Sequence, residues 1–430
     1  MVRLPLTPMP APTTPATPSP LTRSRPRRPA ATRSTHRSVL TLVIALAVNG
    51  GLSLGLPVSS IAGSNALTIP PAITNGSPSP LPWIHTTATG FADPQGQKVV
   101  LRGFVTTPPD VATSAQHYSA ADYKRMRSLG ANYQSIRITL GALGYGRNGV
   151  PTAGYLKQLR TMVTMAARQG IYSSFKLTDL DIPRFNWTAF WRDQGGEHAA
   201  YLQAWEQVWK AFAGNPVVIG YDLLNEPSPG ILTLTPVRFA TVDLNPFYRQ
   251  AIVALRRVDP RHIAFFQPEV IQGTGPGDGP QPYLVPLRAG GLAYAPHFYP
   301  HHPRFSTRQY LPLMSRYLAE GRLSGAPVMI GEYGSPWNPK SDGDLALERK
   351  FEKLETANYR LFARFGLSYS RPWFADDAVY EHKTTGPNVT WSVVQSRSAL
   401  SGPLRPWIVI PFENAAKRLL AGSSASSSPS

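Results

Sequence analysis

Two glutamates, Glu226 and Glu332, close two apolar strand-like runs, PVVIGYDLLNE (216–226) and PVMIGE (327–332). A carboxylate at a strand end is held by rigid backbone and projects into the space that the following loops enclose. Cleavage of a glycosidic bond needs two such groups flanking it, one to protonate the leaving oxygen and one to attack the sugar or activate water. Taken singly, either glutamate reads as a salt-bridged structural acid, because ion pairs at strand ends are common. The second acid reverses that reading, and Asn225 beside the first offers an amide able to hold a sugar hydroxyl.

For two acids so far apart in sequence to meet, the elements that carry them must bring their ends to one face. Strand-like runs cover 97–105, 131–140, 171–177, 216–224, 262–267, 291–299, 327–332 and 367–373. Helical patterns lie between most of them. One is opened by a Ser119 cap with Asp122 at its third position. Another, 155–170, sets Leu156, Leu159, Met162, Val163 and Ala166 on one face and ends at Gly170. Eight strands alternating with helices predict an α/β fold, a (β/α)8 TIM barrel forming one catalytic domain over 67–421, with active residues at the C-terminal strand ends. The stretch 374–410 is expected to be a long loop or hairpin plus a docking helix, and 422–430 a flexible end.

Bulk composition narrows the class. The chain has 430 residues, 42% of them hydrophobic, enough for one large core. It has no cysteine, so burial rather than disulfides must stabilise it. The net charge is +18, but the basic residues are scattered and not interleaved with aromatics, which argues against nucleic acid as a partner. Residues 1–38 carry seven arginines and no acid in a Pro- and Thr-rich, disorder-prone tail. An uncharged apolar segment follows, with small residues at Ser64, Asn65 and Ala66 that resemble a signal-peptidase site, so 39–66 is expected to be a signal peptide or membrane anchor. Association with the membrane would run through 39–58. The arginine-rich flank would stay inside, and the rest would be exported, secreted or anchored on the outer face.

Several motifs in order carry a family resemblance: DPQGQKVVLRGF (93–104), SIRITL (135–140), YDLLNEP (221–227), PHFY (296–299) and IGEYG (330–334). The chain resembles glycoside hydrolase family 5, the cellulase-like group of the retaining barrel clan, over roughly 91–373, and most closely its endoglycoceramidase-related branch. That resemblance implies Glu226 as general acid/base and Glu332 as nucleophile in a double displacement with retention, and it calls for neither metal nor other cofactor. It further implies Arg137, Asn225, His297 and Tyr299 as residues around substrate and nucleophile, and Trp337 and Trp373 as sugar platforms. Arg137 also reads as a structural ion pair in the barrel mouth. A metal reading of His297, His301 and His302 is weakened by Pro300 and Pro303, which break helical spacing.

One departure stands out: the family carries a histidine near the end of the third strand, where this chain has Lys176, Thr178 or Asp179. The expected substrate is a carbohydrate or glycolipid. Glucosyl lipids or aryl and alkyl β-glucosides come first, with an endo-β-1,4-glucanase or mannanase acting on polysaccharide as the alternative. An inactive glycan-binding barrel is a reading of another class, and it predicts a missing acid where both are present.

Overall fold

The structure is a computed structural model that describes residues 81–108, 117–146, 148–178, 185–230, 234–269, 286–299, 307–372, 374–375, 380–382, 386–395 and 400–425. The tail and apolar segment expected over 1–66 lie outside these residues, as do Trp373, Asp179, His301 and His302. No helix among the described residues is long and apolar enough to cross a membrane.

Eight parallel strands form the central sheet: β1 (Arg102–Thr106), β2 (Tyr133–Thr139), β3 (Tyr172–Thr178), β4 (Val218–Asp222), β5 (Ile263–Phe266), β6 (Leu292–Tyr294), β7 (Met329–Ile330) and β8 (Ser368–Arg371). Their spatial order is β7-β8-β1-β2-β3-β4-β5-β6. A parallel bridge between Tyr294 and Val328 joins the two ends, and beyond it His297–Phe298 pairs in parallel with Glu332–Tyr333. The sheet is thereby closed into the expected barrel. Helices between the strands are α1 (Ala120–Ser128), α2 (Tyr155–Ala167), α3 (Glu197–Phe212), α4 (Asn245–Val258), α5 (Thr307–Ser324) and α6 (Leu345–Phe365), and α7 (Pro406–Ala425) follows β8.

Local chemistry explains these boundaries. At the start of α1, Ser119 and Asp122 form a reciprocal capping box, satisfying two backbone donors that the first turn cannot. The first strand begins five residues later than the sequence pattern suggests. Asp93 accepts from the backbone N–H of Gln95 at 3.0 Å and Gln97 at 2.8 Å, and folds Phe91–Ala92 against Lys98–Val99 as an antiparallel hairpin. Lys98 and Val99 therefore leave the barrel strand. In the C-terminal region the expected hairpin is present, Tyr380–His382 against Gly386–Val389. The docking helix α7 runs to Ala425, four residues into the stretch expected to be flexible.

Alternation along the strands separates two apolar layers. Ile136, Ile138, Phe175 and Leu177 point to the helices, where they join Trp205 and Trp209 of α3, both fully buried as their helical spacing implied. Tyr133, Tyr172, Ile219, Ile263, Phe265 and Met329 fill the lower barrel together with Leu81, Ile84, Phe91 and Val99 of the N-terminal hairpin. Two residues above Ser135 and Ser174 on β2 and β3, the row becomes charged. Arg137 is in register with Lys176, and Lys176 with Asp222 of β4. A dry base therefore supports a polar upper interior.

Candidate active site

The charged row lies where strand continuations carry the two glutamates. β7 ends at Ile330, Gly331 follows, and Glu332 stands beside His297 in the parallel pairing. A side chain at position 331 is excluded, because its Cβ would come 2.8 Å from the Ala295 carbonyl oxygen and 3.2 Å from the His297 ring. Glycine lets the two segments approach closely enough to set imidazole next to carboxylate.

Glu332 is buried, and both its oxygens are engaged. One accepts from the Lys176 ammonium and the other from the Tyr299 hydroxyl. His297 Nδ1 stands 3.7 Å from the second oxygen. Burial alone would push this carboxyl up, but the charge of Lys176, then His297, and the hydrogen bonds from Lys176 and Tyr299 reverse that and lower it to about 2. Glu332 is therefore anionic throughout the physiological range.

Glu226 is held differently. β4 ends at Asp222, four residues earlier than a glutamate at the strand terminus would require, so Glu226 sits in the turn that follows. Its backbone is left-handed, φ 46°, in a region that costs a non-glycine residue about 1–3 kcal/mol. The turn is held because Glu226 N–H donates to Gln267 Oε1 at 2.9 Å, and Gln267 Nε2 donates to Asp222 Oδ2 at 2.7 Å. Gln267 is itself clamped by Tyr248, whose hydroxyl accepts from the Gln267 N–H at 2.9 Å and donates to its carbonyl at 3.0 Å. Farther along, Trp191 donates its indole N–H to the Ser228 carbonyl at 2.6 Å and fastens the outgoing loop.

The Glu226 side chain is 36% exposed against 7% for Glu332, and His297 Nδ1 lies 2.8 Å from Glu226 Oε1. Oxygen atoms of the two glutamates and a His297 ring nitrogen all lie within 4.8 Å of one another. Retaining glycosidases hold their carboxyl groups about 5–5.5 Å apart, whereas inverting ones need room for a water between them. The exposures differ in the sense that two such roles require. A general acid/base must exchange protons with solvent, and a nucleophile must stay ionised and ordered. Three such residues also make a geometrically plausible cation site, but one Glu332 oxygen carries the Lys176 ammonium and the other a tyrosyl hydroxyl, so its lone pairs face protons already.

Of the residues expected from sequence, Glu226, Glu332, His297 and Tyr299 converge. Asn225 sits beside them, its Oδ1 buried and without a hydrogen-bond partner among the described residues, available to a ligand. Arg137 is buried on β2 next to Lys176, but Lys176 supplies the cation that bonds Glu332. Trp337 requires a correction. It is 2% exposed, its indole N–H donates to Asp342 at 2.7 Å, and its ring packs 4.8 Å from Trp407 and 5.1 Å from Phe351. A ring so enclosed is core and offers no face to a sugar. Trp391 is half-buried next to the site, its ring edge-on to that of Tyr299 at 6.1 Å.

Sequence reading missed Trp391, Gln267 and Asp222 as site residues, and named Lys176 only as one of three candidates standing where a histidine was expected. Gln267, a polar residue closing the apolar run HIAFF, carried a readable signal. Trp391 carried none. It is positioned by a backbone pairing of Thr390 with Trp337 that no local pattern announces.

A (β/α)8 barrel with two glutamates at its C-terminal face, one held ionised by a buried cation and the other half-buried, is the arrangement that retaining glycoside hydrolases use. The family model for cellulase, glycosyl hydrolase family 5, matches residues 92–362, and the chain belongs to that family. An endoglycoceramidase of Hydra vulgaris is 23% identical over 235 residues, which are 40% of this chain and 45% of that relative, so the chain matches less than half of the relative's length. Among solved structures, an endogalactoceramidase superposes with a TM-score of 0.56 at 18% identity, covering 77% of this chain and 85% of that one. A β-glucanase from Saccharophagus degradans superposes with a TM-score of 0.55 at 16% identity, covering 81% and 98%.

Proposed function

We propose that this chain hydrolyses β-glycosidic bonds of glucosyl lipids or of aryl and alkyl β-glucosides by double displacement with retention. The observation that carries the reaction type is the unequal pair: Glu332 buried and ion-paired, Glu226 half-buried and shared with His297, with oxygens of the two within 4.8 Å. In the first step an electron pair of Glu332 forms the bond to the anomeric carbon. The bond to the aglycone oxygen breaks, and that oxygen takes the proton of Glu226. In the second step Glu226, now a carboxylate, takes a proton from water, which attacks the same carbon and releases Glu332. In this reading Asn225 holds the sugar hydroxyl next to the reacting carbon.

The glycolipid reading draws support from family membership together with the endoglycoceramidase of Hydra vulgaris as a relative. We further propose that 39–66 directs export, leaving the barrel outside the cytoplasm and, where the segment is retained, held at the membrane surface. Sequencing the N-terminus of the mature protein tests this, and a start within the first 38 residues on a cytoplasmic protein would refute it.

Glu332→Ala is expected to lower turnover of an activated β-glucoside by about 10⁴-fold or more, and azide to restore it with an α-glycosyl azide as product. Full activity in that variant would overturn the nucleophile assignment. A hydrolysis panel of nitrophenyl β-glucoside, β-mannoside and cellobioside, carboxymethyl cellulose and glucosylceramide tests the substrate. Preference for the cellulose derivative would replace the glycolipid reading with an endo-glucanase.

A further inference from the structure

Lys176 is 1% exposed, and among the described residues its ammonium has one hydrogen-bond partner, Glu332. It therefore has donors to spare. On the neighbouring strand, in register with it, Asp222 is also buried; Gln267 occupies its Oδ2, while Oδ1 has no partner among the described residues. A buried ammonium with unused donors thus stands beside a buried carboxylate with an unused acceptor. Neither arrangement is explained by folding alone, since buried polar atoms are nearly always paired.

The chemistry of the proposed reaction supplies the reason. When Glu332 becomes an ester it loses its charge, and Lys176 loses the anion it was paired with. A buried cation left alone is costly. We propose that Lys176 is a positioning residue that exchanges partners during the reaction, pairing with Glu332 in the free enzyme and with Asp222 in the glycosyl-enzyme. The exchange keeps the buried ammonium paired with a carboxylate at both stages. It also reaches the acid/base residue, because Asp222 holds Gln267 and Gln267 holds the Glu226 backbone.

The charged and titratable groups around the exchange are Arg137 from β2, Asp222 and Glu226 from β4 and its turn, His297 and Tyr299 beyond β6, and Glu332 beyond β7. Burial, opposed by Lys176, His297 and the Gln267 hydrogen bond and aided by Glu332, raises Asp222 to about 6. At pH 7 both carboxylates are therefore ionised around one ammonium, and no proton has to move when the partner changes.

The inference rests on the glycosidase reading, and the two can fail separately. The probe is 2,4-dinitrophenyl 2-deoxy-2-fluoro-β-glucoside, which traps the ester on the nucleophile. If the wild-type protein is not labelled at Glu332, the glycosidase reading with this sugar fails and the exchange fails with it. Given labelling, the Lys176→Met variant is expected to show an acid limb in its trapping rate raised by about two pH units, because the cation holding Glu332 ionised is gone. An unmoved limb with a uniform loss of rate would overturn the inference. Asp222→Asn tests the second partner at pH 7 without touching the Lys176–Glu332 pair. Trapping should slow about tenfold, since ester formation now strands the ammonium, while hydrolysis of the trapped ester should not slow. Equal slowing of both steps would mark Asp222 as merely structural and overturn the exchange. A crystal structure of the trapped wild-type enzyme should place Lys176 Nζ within hydrogen-bond distance of Asp222 Oδ1; an ammonium still on Glu332 would refute it.

Discussion

Glu332 and Glu226 are the same side chain in two environments, and the difference between them is the site's working asymmetry. A fixed ammonium and a phenolic donor keep Glu332 anionic against the cost of burial, whereas Glu226 shares a histidine and faces solvent. Tyr299 contributes one of those donors, so Tyr299→Phe is expected to lower kcat/KM by about 10- to 100-fold at pH 5 through loss of one charge-assisted hydrogen bond. Initial rates on an activated β-glucoside against pH would measure this, and an unchanged rate would remove Tyr299 from the site. The pairs that sequence made legible were the two acids, with Asn225, His297 and Tyr299 in short motifs beside them. Lys176 was visible only as a departure from the expected histidine. Whether its ammonium met Glu332, Asp222 or solvent depended on the register of β3 against its neighbours.

At the scale of elements, the site depends on strand ends held at fixed heights. β8 and α6 are pinned together by Arg371 and Glu355, a fully buried pair with Arg371 Nη1 2.7 Å from Glu355 Oε1, and the guanidinium also lies 5.5 Å from the centre of the Tyr333 ring. Tyr333 directly follows Glu332. Arg371→Met leaves the Glu355 carboxylate buried without its cation, and denaturant unfolding is expected to show a loss of about 3–5 kcal/mol. A loss under about 1 kcal/mol would mean that water or a repacked neighbour replaces the guanidinium. Strands and helices were readable here because their periodicities are local: Ser119 capped α1 and the apolar face of α2 lay where the pattern placed them. Ends were less readable. Asp93 and Gly96 diverted Lys98 and Val99 into a hairpin, and β4 stopped at Asp222 because the chain turns early, with Glu226 held in a left-handed conformation by Gln267, a residue 41 positions away.

Over the whole molecule, the charged upper interior rests on an apolar base and makes stability depend on pH. Asp222 has a folded value of about 6 against 3.8 unfolded, so between those limits the folded state binds more protons. Its contribution favours folding below about pH 4 and is lost as pH rises through 6, amounting to about 2–3 kcal/mol. Glu332 acts in the opposite sense. Its lowered value stabilises the fold above about pH 4.5, and that contribution is lost as pH falls toward 2. Asp222→Asn is therefore expected to gain stability relative to wild type between pH 4 and pH 7, read from urea midpoints at the two values; parallel changes in both proteins would show that Asp222 is not the group responsible. Sequence by itself determined the barrel and pointed to the two acids, because hydrophobic alternation and short motifs are properties of neighbouring residues. Only the tertiary structure decided that Trp337 is core and Trp391 packs beside Tyr299, that Lys176 bonds Glu332, and that Asp222 lies in register beside it. Those outcomes depend on strand register and loop packing between residues far apart in the chain, where contact is set by closure of the whole barrel.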